Sequence, residues 1–369
     1  MRPQNFQKIL LIKSHSLGVG DILRSSAAWL ALKEKFPQAE LHLLFLSKHA
    51  GYPSEDFIRE HSLLKSAHFV TIREADPSHP KAKRVPWRVV KAQVQRISAE
   101  LEPDLVIDFE ASGLRTSLVT RWASQVSRAK TIGIAQFPGR GWFYDTSAPS
   151  THAYLKAHGL TQPMDYTERD FVVLAALGIE REGRAIHLQL TKAGALYKEQ
   201  LMPKLIPGRR VVGLNIGCGT ADALPKRPAL AVVVDAIHLL AEAVPSQLLL
   251  TGAKFEKSIN QEFIQLYEEK YGNSLPMVDT AGEPSLSALT GVIDVCDLFV
   301  SSDSGPYHMA VAQRKPTIAW FILPEPSSYH NETWCRCLIK PQAADVLAAA
   351  HVLLDVSTKA NEPNLNSVA

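Results

Sequence analysis

Twice along the chain, a short unbroken apolar run ends in a loop of small residues and leads into a helical pattern. The first instance is Lys8-Ile-Leu-Leu-Ile-Lys13, followed by the loop Ser14–Gly20. In Asp21–Phe36, Ile22, Leu23, Ala27, Leu30 and Ala31 then recur at helical spacing until Pro37 stops them. The second begins at Arg210: Val211-Val-Gly-Leu-Asn-Ile216 runs into Gly217-Cys-Gly219, and Ala229–Ala243 follows as a helix. An apolar run buried on both faces suits a parallel strand, and parallel strands need a crossover helix, which is right-handed. Further strands are expected at Leu41–Leu46, His68–Ile72, Asp104–Phe109, Thr131–Ala135, Gln247–Leu250, Leu298–Ser301 and Thr317–Phe321, with helices over 166–177, 191–201, 258–271 and 285–295. Two such cycles in 369 residues exceed one core. The expected fold class is α/β, two Rossmann-like domains facing across a cleft. Their expected bounds are 1–190 and 207–340, with a C-terminal helix over 341–356 and a flexible tail over 357–369.

Charge sharpens the division. The formal net charge is +3, from 40 Lys and Arg against 37 Asp and Glu. Residues 1–150 hold 21 basic and 14 acidic side chains, whereas 151–369 hold 19 and 23. The basic half suits an anionic partner. Its densest stretch, Lys81-Ala-Lys83-Arg84-Val-Pro-Trp-Arg88 with Lys91 and Arg96, is either a solvated face or a docking surface for an anionic head group. Base-stacking aromatics are sparse there, so nucleic acid is not expected as a partner. The first apolar stretch, Ile9–Ile12, is too short for a signal peptide's apolar region or a membrane span, and a cytoplasmic protein is expected. Four cysteines (Cys218, Cys296, Cys335, Cys337) form no disulfide framework, and Cys335-x-Cys337 lacks a second ligand pair for zinc. No Asp-x-Asp and no metal-ligand spacing occur, so neither a metal nor a cofactor is expected.

Three loops could carry chemistry. In Ser16-Leu-Gly18-Val-Gly20-Asp21 the glycines let a ligand approach the backbone, but Leu23 occupies the third glycine position of a dinucleotide fingerprint. Asp21 either stabilises its helix dipole or, facing a cleft, acts as a general base. In Ser301-Ser-Asp303-Ser304-Gly305-Pro306-Tyr-His308 a strand end turns into a helix whose first amides, with the Ser304 hydroxyl, suit a diphosphate. His308 would donate to a phosphate there or simply pack. Gly217-Cys-Gly-Thr220 through Lys226-Arg227-Pro228 offers small residues, a hydroxyl and cations to a pyrophosphate leaving group, or holds solvated loop charges. Glu256, past the strand ending in Thr251-Gly252, would accept from a ribose or adenine, or cap a helix.

These strings resemble glycosyltransferase family 9, the heptosyltransferases. The resemblance rests on Gly18-Val-Gly-Asp21-Ile-Leu, Leu32-Lys-x-x-Phe-Pro37, Pro103-Asp-Leu-Val-Ile-Asp108, Ala281-Gly-x-x-Ser-Leu286, Asp303-Ser-Gly-Pro-x-His-x-Ala310 and Pro316-Thr-Ile-Ala-Trp-Phe321, and it covers about residues 8–355. It implies a GT-B fold and metal-independent, inverting transfer of a heptose from ADP-heptose, a substrate rather than a cofactor, to inner-core lipopolysaccharide. It implies Asp21 as catalytic base. It implies a donor site of Gly217, Thr220, Lys226, Glu256, Asp303, Ser304, Gly305, Pro306 and His308. The acceptor, an anionic glycolipid met at the cytoplasmic face of the inner membrane, would face Lys13, Gly18, Gly20, Lys81, Lys83, Arg84 and Arg88. Two departures stand out: Lys226-Arg-Pro228 lacks the family's Trp, and Ile322-Leu-Pro-Glu-Pro326 replaces a segment that usually begins with Gly. The competing readings are a nucleotide-sugar epimerase of the same fold, which would need further acid and base groups, and a non-catalytic nucleotide-sugar binder.

Overall fold

The computed structural model describes residues 5–15, 18–47, 51, 53–74, 83–160, 167–218 and 225–360. The chain divides into two compact units, Met1–His187 and Leu188–Ala369. In the first, β1 (Lys8–His15) leads to α1 (Val19–Leu23), α2 (Ser26–Lys35), β2 (Glu40–Ser47), α3 (Pro53–Arg59) and β3 (Ser66–Thr71). The two-residue strands β4 (Arg73–Glu74) and β5 (Lys83–Arg84) then pair antiparallel before α4 (Trp87–Leu101). The unit continues with β6 (Leu105–Asp108), α5 (Arg115–Ser127), β7 (Lys130–Ile134), β8 (Thr146–Ala148), α6 (Thr151–Ala157) and α7 (Phe171–Leu174). The sheet order is β3-β2-β1-β6-β7-β8, every pair parallel. Ile9–Ile12 and Leu105–Ile107 are fully buried, as central strands covered on both faces must be. Val90, Val94 and Ile97 of α4 repeat at helical spacing and pack with Leu10, Ile12 and Val106 in one core cluster.

The second unit opens with α8 (Lys192–Leu201), whose cap Thr191 accepts from Gly194 N at 2.9 Å. After β9 (Arg210–Asn215) come α9 (Leu230–Ala243), β10 (Ser246–Thr251), α10 (Lys257–Tyr271), β11 (Met277–Asp279) and α11 (Leu289–Asp294). The chain ends through β12 (Leu298–Ser302), α12 (Gly305–Ala312), β13 (Thr317–Phe321), β14 (Cys335–Ile339) and α13 (Ala343–Ala360). The order β11-β10-β9-β12-β13-β14 repeats that of the first unit, again all parallel. Both units are therefore Rossmann-like, as expected. In each, the crossovers leave the sheet in opposite directions from the middle pair, β1/β6 or β9/β12. That switch point is where open α/β sheets leave a crevice at their strand carboxyl ends.

Several expected boundaries shift. The single helix over 21–36 is two, because Ser25 N bonds Ile22 O at 3.0 Å and the Ser26 hydroxyl donates to Leu23 O at 2.5 Å, tightening the ladder between them. The helix expected over 166–177 is a chain of tight turns, Glu168–Asp170, α7 and Ala175–Leu177, closed by Gly178 at φ 62°. The last helix starts at Ala343 and runs to Ala360, past the expected 356, and residues 361–369 of the expected tail lie outside the described residues. No helix among the described residues is long and apolar enough to cross a membrane.

Candidate active site

The switch point of the second unit gathers most of the expected donor residues. The turn 303–304 follows β12, and α12 starts at Gly305 with Pro306 in its first turn, where a missing N–H leaves no bond unmade. Beside it, Asn215 at the end of β9 donates from Nδ2 to Gly217 O (3.1 Å) and to the Ser304 hydroxyl (2.9 Å). The Ser302 hydroxyl also donates to Gly217 O. The Ser304 hydroxyl in turn donates to Ser302 O at 3.2 Å, so it faces the protein. The hydroxyl expected against a diphosphate thereby ties two loops together. Asn215, which helps hold the turn, went unnoticed in the sequence because it is one polar residue near the end of an apolar run, and Ser302 because its role lies in a contact with a distant loop.

Lys226 reaches this turn. Its Nζ lies 2.5 Å from Asp303 Oδ2, with the lysine about half exposed and the carboxylate 8% exposed. Burial disfavours the ammonium, but the bond to Asp303 outweighs it and raises the Lys226 pKa. The buried Nε of Arg227 makes no hydrogen bond among the described residues. Glu256 is buried, and its Oε2 accepts from Ala253 N at 2.8 Å, so it does cap the turn that enters α10. Its Oε1 also lies so close to Gly217 that a Cβ there would stand 1.9 Å away. Gly217 is thus required for the close approach of loop and carboxylate. Gly217, Lys226, Glu256, Asp303, Ser304, Gly305, Pro306 and His308 all lie in this one unit. Thr220 lies outside the described residues.

At the first unit's switch point, Asp21 stands in the first turn of α1, about half exposed, with Oδ1 3.5 Å from Arg24 Nη1. Gly18 caps α1 at φ −62° and Gly20 lies within it, so neither uses the left-handed freedom of glycine. Lys13 is a correction. Expected at the acceptor surface, it is 2% exposed, and its Nζ bonds Asp170 Oδ2 at 2.8 Å and Ser25 Oγ at 2.5 Å. Arg24 Nε reaches the other oxygen of Asp170 at 3.2 Å. Burial pushes the Asp170 carboxyl up, but Lys13 and Arg24 outweigh it and hold the pKa at about 2. Lys13 is therefore a strut under α1, and Asp170 is its unforeseen partner from a segment 157 residues away.

A second buried strut stands behind β6. Arg140, fully buried, donates from Nη2 to Asp108 Oδ2 at 3.2 Å and to Glu110 O at 2.5 Å, and from Nη1 to Ile134 O at 2.6 Å. Tyr144 donates to the same Asp108 oxygen at 2.7 Å. Burial pushes the Asp108 pKa up to about 6 against these partners. The Glu110 carboxylate then accepts from Ser14 N at 3.0 Å, joining the ends of β1 and β6. Of the expected basic residues, Arg84 lines a pocket of about 210 Å³ with Arg73, Arg115 and Trp87. Arg88 is exposed on α4, Lys83 lies in β5, and Lys81 is outside the described residues. Among the described residues, no three His, Cys, Asp or Glu side chains cluster as metal ligands.

Comparison with known proteins agrees with the family resemblance. Residues 239–334, which include the Asp303-Ser-Gly-Pro turn, match glycosyltransferase family 9 (heptosyltransferase). Lipooligosaccharide heptosyltransferase 2 of Campylobacter jejuni is 28% identical over 119 residues, 31% of this chain and 34% of that protein. The chain thus matches about a third of the length of that relative. The crystal structure of the glycosyl transferase family 9 protein from Veillonella parvula superposes with a TM-score of 0.70 at 15% identity, covering 95% of this chain and 98% of that one. ADP-heptose lps heptosyltransferase II of E. coli gives 0.66 at 16% identity, covering 95% and 100%. At these identities the structural likeness shows the fold, which is of the GT-B type.

Proposed function

We propose that the chain is a family 9 glycosyltransferase that moves a heptose, or a related sugar, from an ADP-sugar to an inner-core lipopolysaccharide acceptor, inverting the anomeric carbon without a metal. The observation that carries this reading is the Lys226–Asp303 pair at the turn before α12; Asp303 and the turn lie in the stretch matching the family, and Lys226 reaches them from the loop before it. A cation and a helix start at one point are what a departing diphosphate needs. The Ser304 side chain makes no capping bond to α12, so an anion seated there would meet that helix's first amides.

In this reading, Asp21 takes the proton of an acceptor hydroxyl. The freed oxygen pair forms a bond to the anomeric carbon from the face opposite the diphosphate. The carbon–oxygen bond to the donor breaks, and its electron pair leaves on the β-phosphate of ADP, beside Lys226 and the α12 amides. Glu256, next to Gly217, would accept from the ribose or adenine in this reading. The acceptor's negative charges would meet Arg84 with Arg73 and Arg115, over the indole of Trp87. A cytoplasmic enzyme working at the inner face of the membrane fits that acceptor.

ADP added to the protein is expected to slow hydrogen exchange at residues 303–310, followed by mass spectrometry of peptides. Unchanged exchange there at saturating ADP would remove this turn from the donor site.

A further inference from the structure

His308 is backed by two further buried groups. Its Nδ1 lies 2.9 Å from Nε2 of His330, and Nδ1 of His330 lies 3.7 Å from Oε2 of Glu332. All three side chains are less than a tenth exposed. The segment that carries His330 is pinned to α12: the Tyr307 hydroxyl donates to Ser328 O at 3.1 Å and accepts from His330 N at 3.1 Å. His330 and Glu332 follow the segment 322–326, in which the chain departs from its family's pattern.

Two imidazole nitrogens at 2.9 Å share one proton between them. The Glu332 carboxylate, 3.7 Å beyond His330, lies at ion-pair rather than hydrogen-bond distance and favours positive charge on the His330 ring. A doubly protonated His330 directs Nδ1–H toward Glu332 and donates Nε2–H to His308 Nδ1. An imidazole that accepts at Nδ1 carries its own proton on Nε2. Any contact of His308 with an anion at the start of α12 then goes through a donating nitrogen. This is the logic by which a buried carboxylate fixes a catalytic histidine's tautomer, extended by one ring.

We propose that His330 and Glu332 are positioning residues that hold His308 as an Nε2–H donor to the diphosphate of the nucleotide sugar and place a positive charge behind it. The inference rests on the donor site proposed above. The other titratable groups facing His330 are Tyr307, whose ring centroid is 5.2 Å away, and Cys337, whose Sγ lies 3.8 Å from His330 O, with Cys335 behind it. Burial holds the Tyr307 hydroxyl protonated, and the Cys335–Cys337 contact pushes the Cys335 thiol up and the Cys337 thiol down. Cys337 is therefore the group to control for.

The test is calorimetric titration of the full chain with ADP and with adenosine across neutral pH. Wild type is expected to bind ADP more weakly as pH rises and the positive charge on the His308–His330 pair is lost. His330→Gln should bind ADP about tenfold more weakly near pH 6.5 with a flattened slope, the size expected for one hydrogen bond to a charged group. Its adenosine affinity should be unchanged, since adenosine lacks the diphosphate. Glu332→Gln should fall between the two, and Cys337→Ser should keep the wild-type slope. Equal ADP affinity and slope in His330→Gln and wild type would overturn the inference, as would an equal loss of adenosine. Failure of the wild type to bind ADP would instead bring down the donor site and the inference with it.

Discussion

Replacing Asp21 with Asn is expected to leave a folded protein that has lost most of its transfer activity. The carboxylate is about half exposed and pairs with Arg24 at 3.5 Å, in a setting where such ion pairs contribute little to stability. The amide has nearly the same shape and keeps an oxygen for the arginine. What it lacks is a basic oxygen for the acceptor proton. A positioned general base contributes about 10²–10⁴-fold, so kcat should fall by that factor with an unchanged unfolding midpoint and an unchanged ADP affinity. Turnover near that of the wild type would remove Asp21 from the role of base.

The second large effect concerns stability. Asp170→Ala removes the carboxylate that neutralises Lys13, leaving an ammonium 2% exposed without its ion-pair partner. Breaking a buried pair on one side costs about 3–5 kcal/mol, because the remaining charge stays in a poorly solvating interior. Urea unfolding followed by circular dichroism should show that loss. The double variant Lys13→Met, Asp170→Leu should recover most of it, since two apolar side chains leave no buried charge. A single variant as stable as the wild type would show that the strut carries no load. The pH dependence has a definite sign. The folded Asp170 titrates at about 2, below the ordinary value of 3.8. Its contribution is therefore complete above about pH 4 and is lost as pH falls toward 2, worth about 2 kcal/mol in all. Asp170→Ala should unfold less steeply over that acid range.

The repeated strand, loop and helix cycle was legible because central parallel strands must be apolar on both faces. Lys8–Lys13 and Val211–Ile216 announce β1 and β9 without help from the rest of the chain. Edge and short elements were not announced in this way. The strand β14 reads Cys-Arg-Cys-Leu-Ile and is only partly buried, and α5 is carried by Thr, Ser and Ala packed against α4. Side chains proposed to act within one loop, such as Asp21 and the turn 303–306, were visible as local strings. Those that act across the chain were not. Asp170 meets Lys13 across 157 residues, Arg140 meets Asp108 across 32, and His330 meets His308 across 22. Nothing in the local sequence of Asp170, Arg140 or His330 points to its partner, and only the fold brings the two together. The charge split had the same limit. A basic first half suggested a surface, yet Lys13 and Arg140 are interior, and the arginines that remain at a pocket are Arg73, Arg84 and Arg115.

In the proposed reaction, one chain couples release of ADP to sugar transfer. The direct measurement is to incubate the protein with a panel of nucleotide sugars, with and without truncated lipopolysaccharide acceptors, and to follow free ADP. Release of ADP from ADP-heptose is expected only when an acceptor is present. Conversion of a nucleotide sugar with no acceptor, as an epimerase would give, or binding without turnover under every combination, would contradict it.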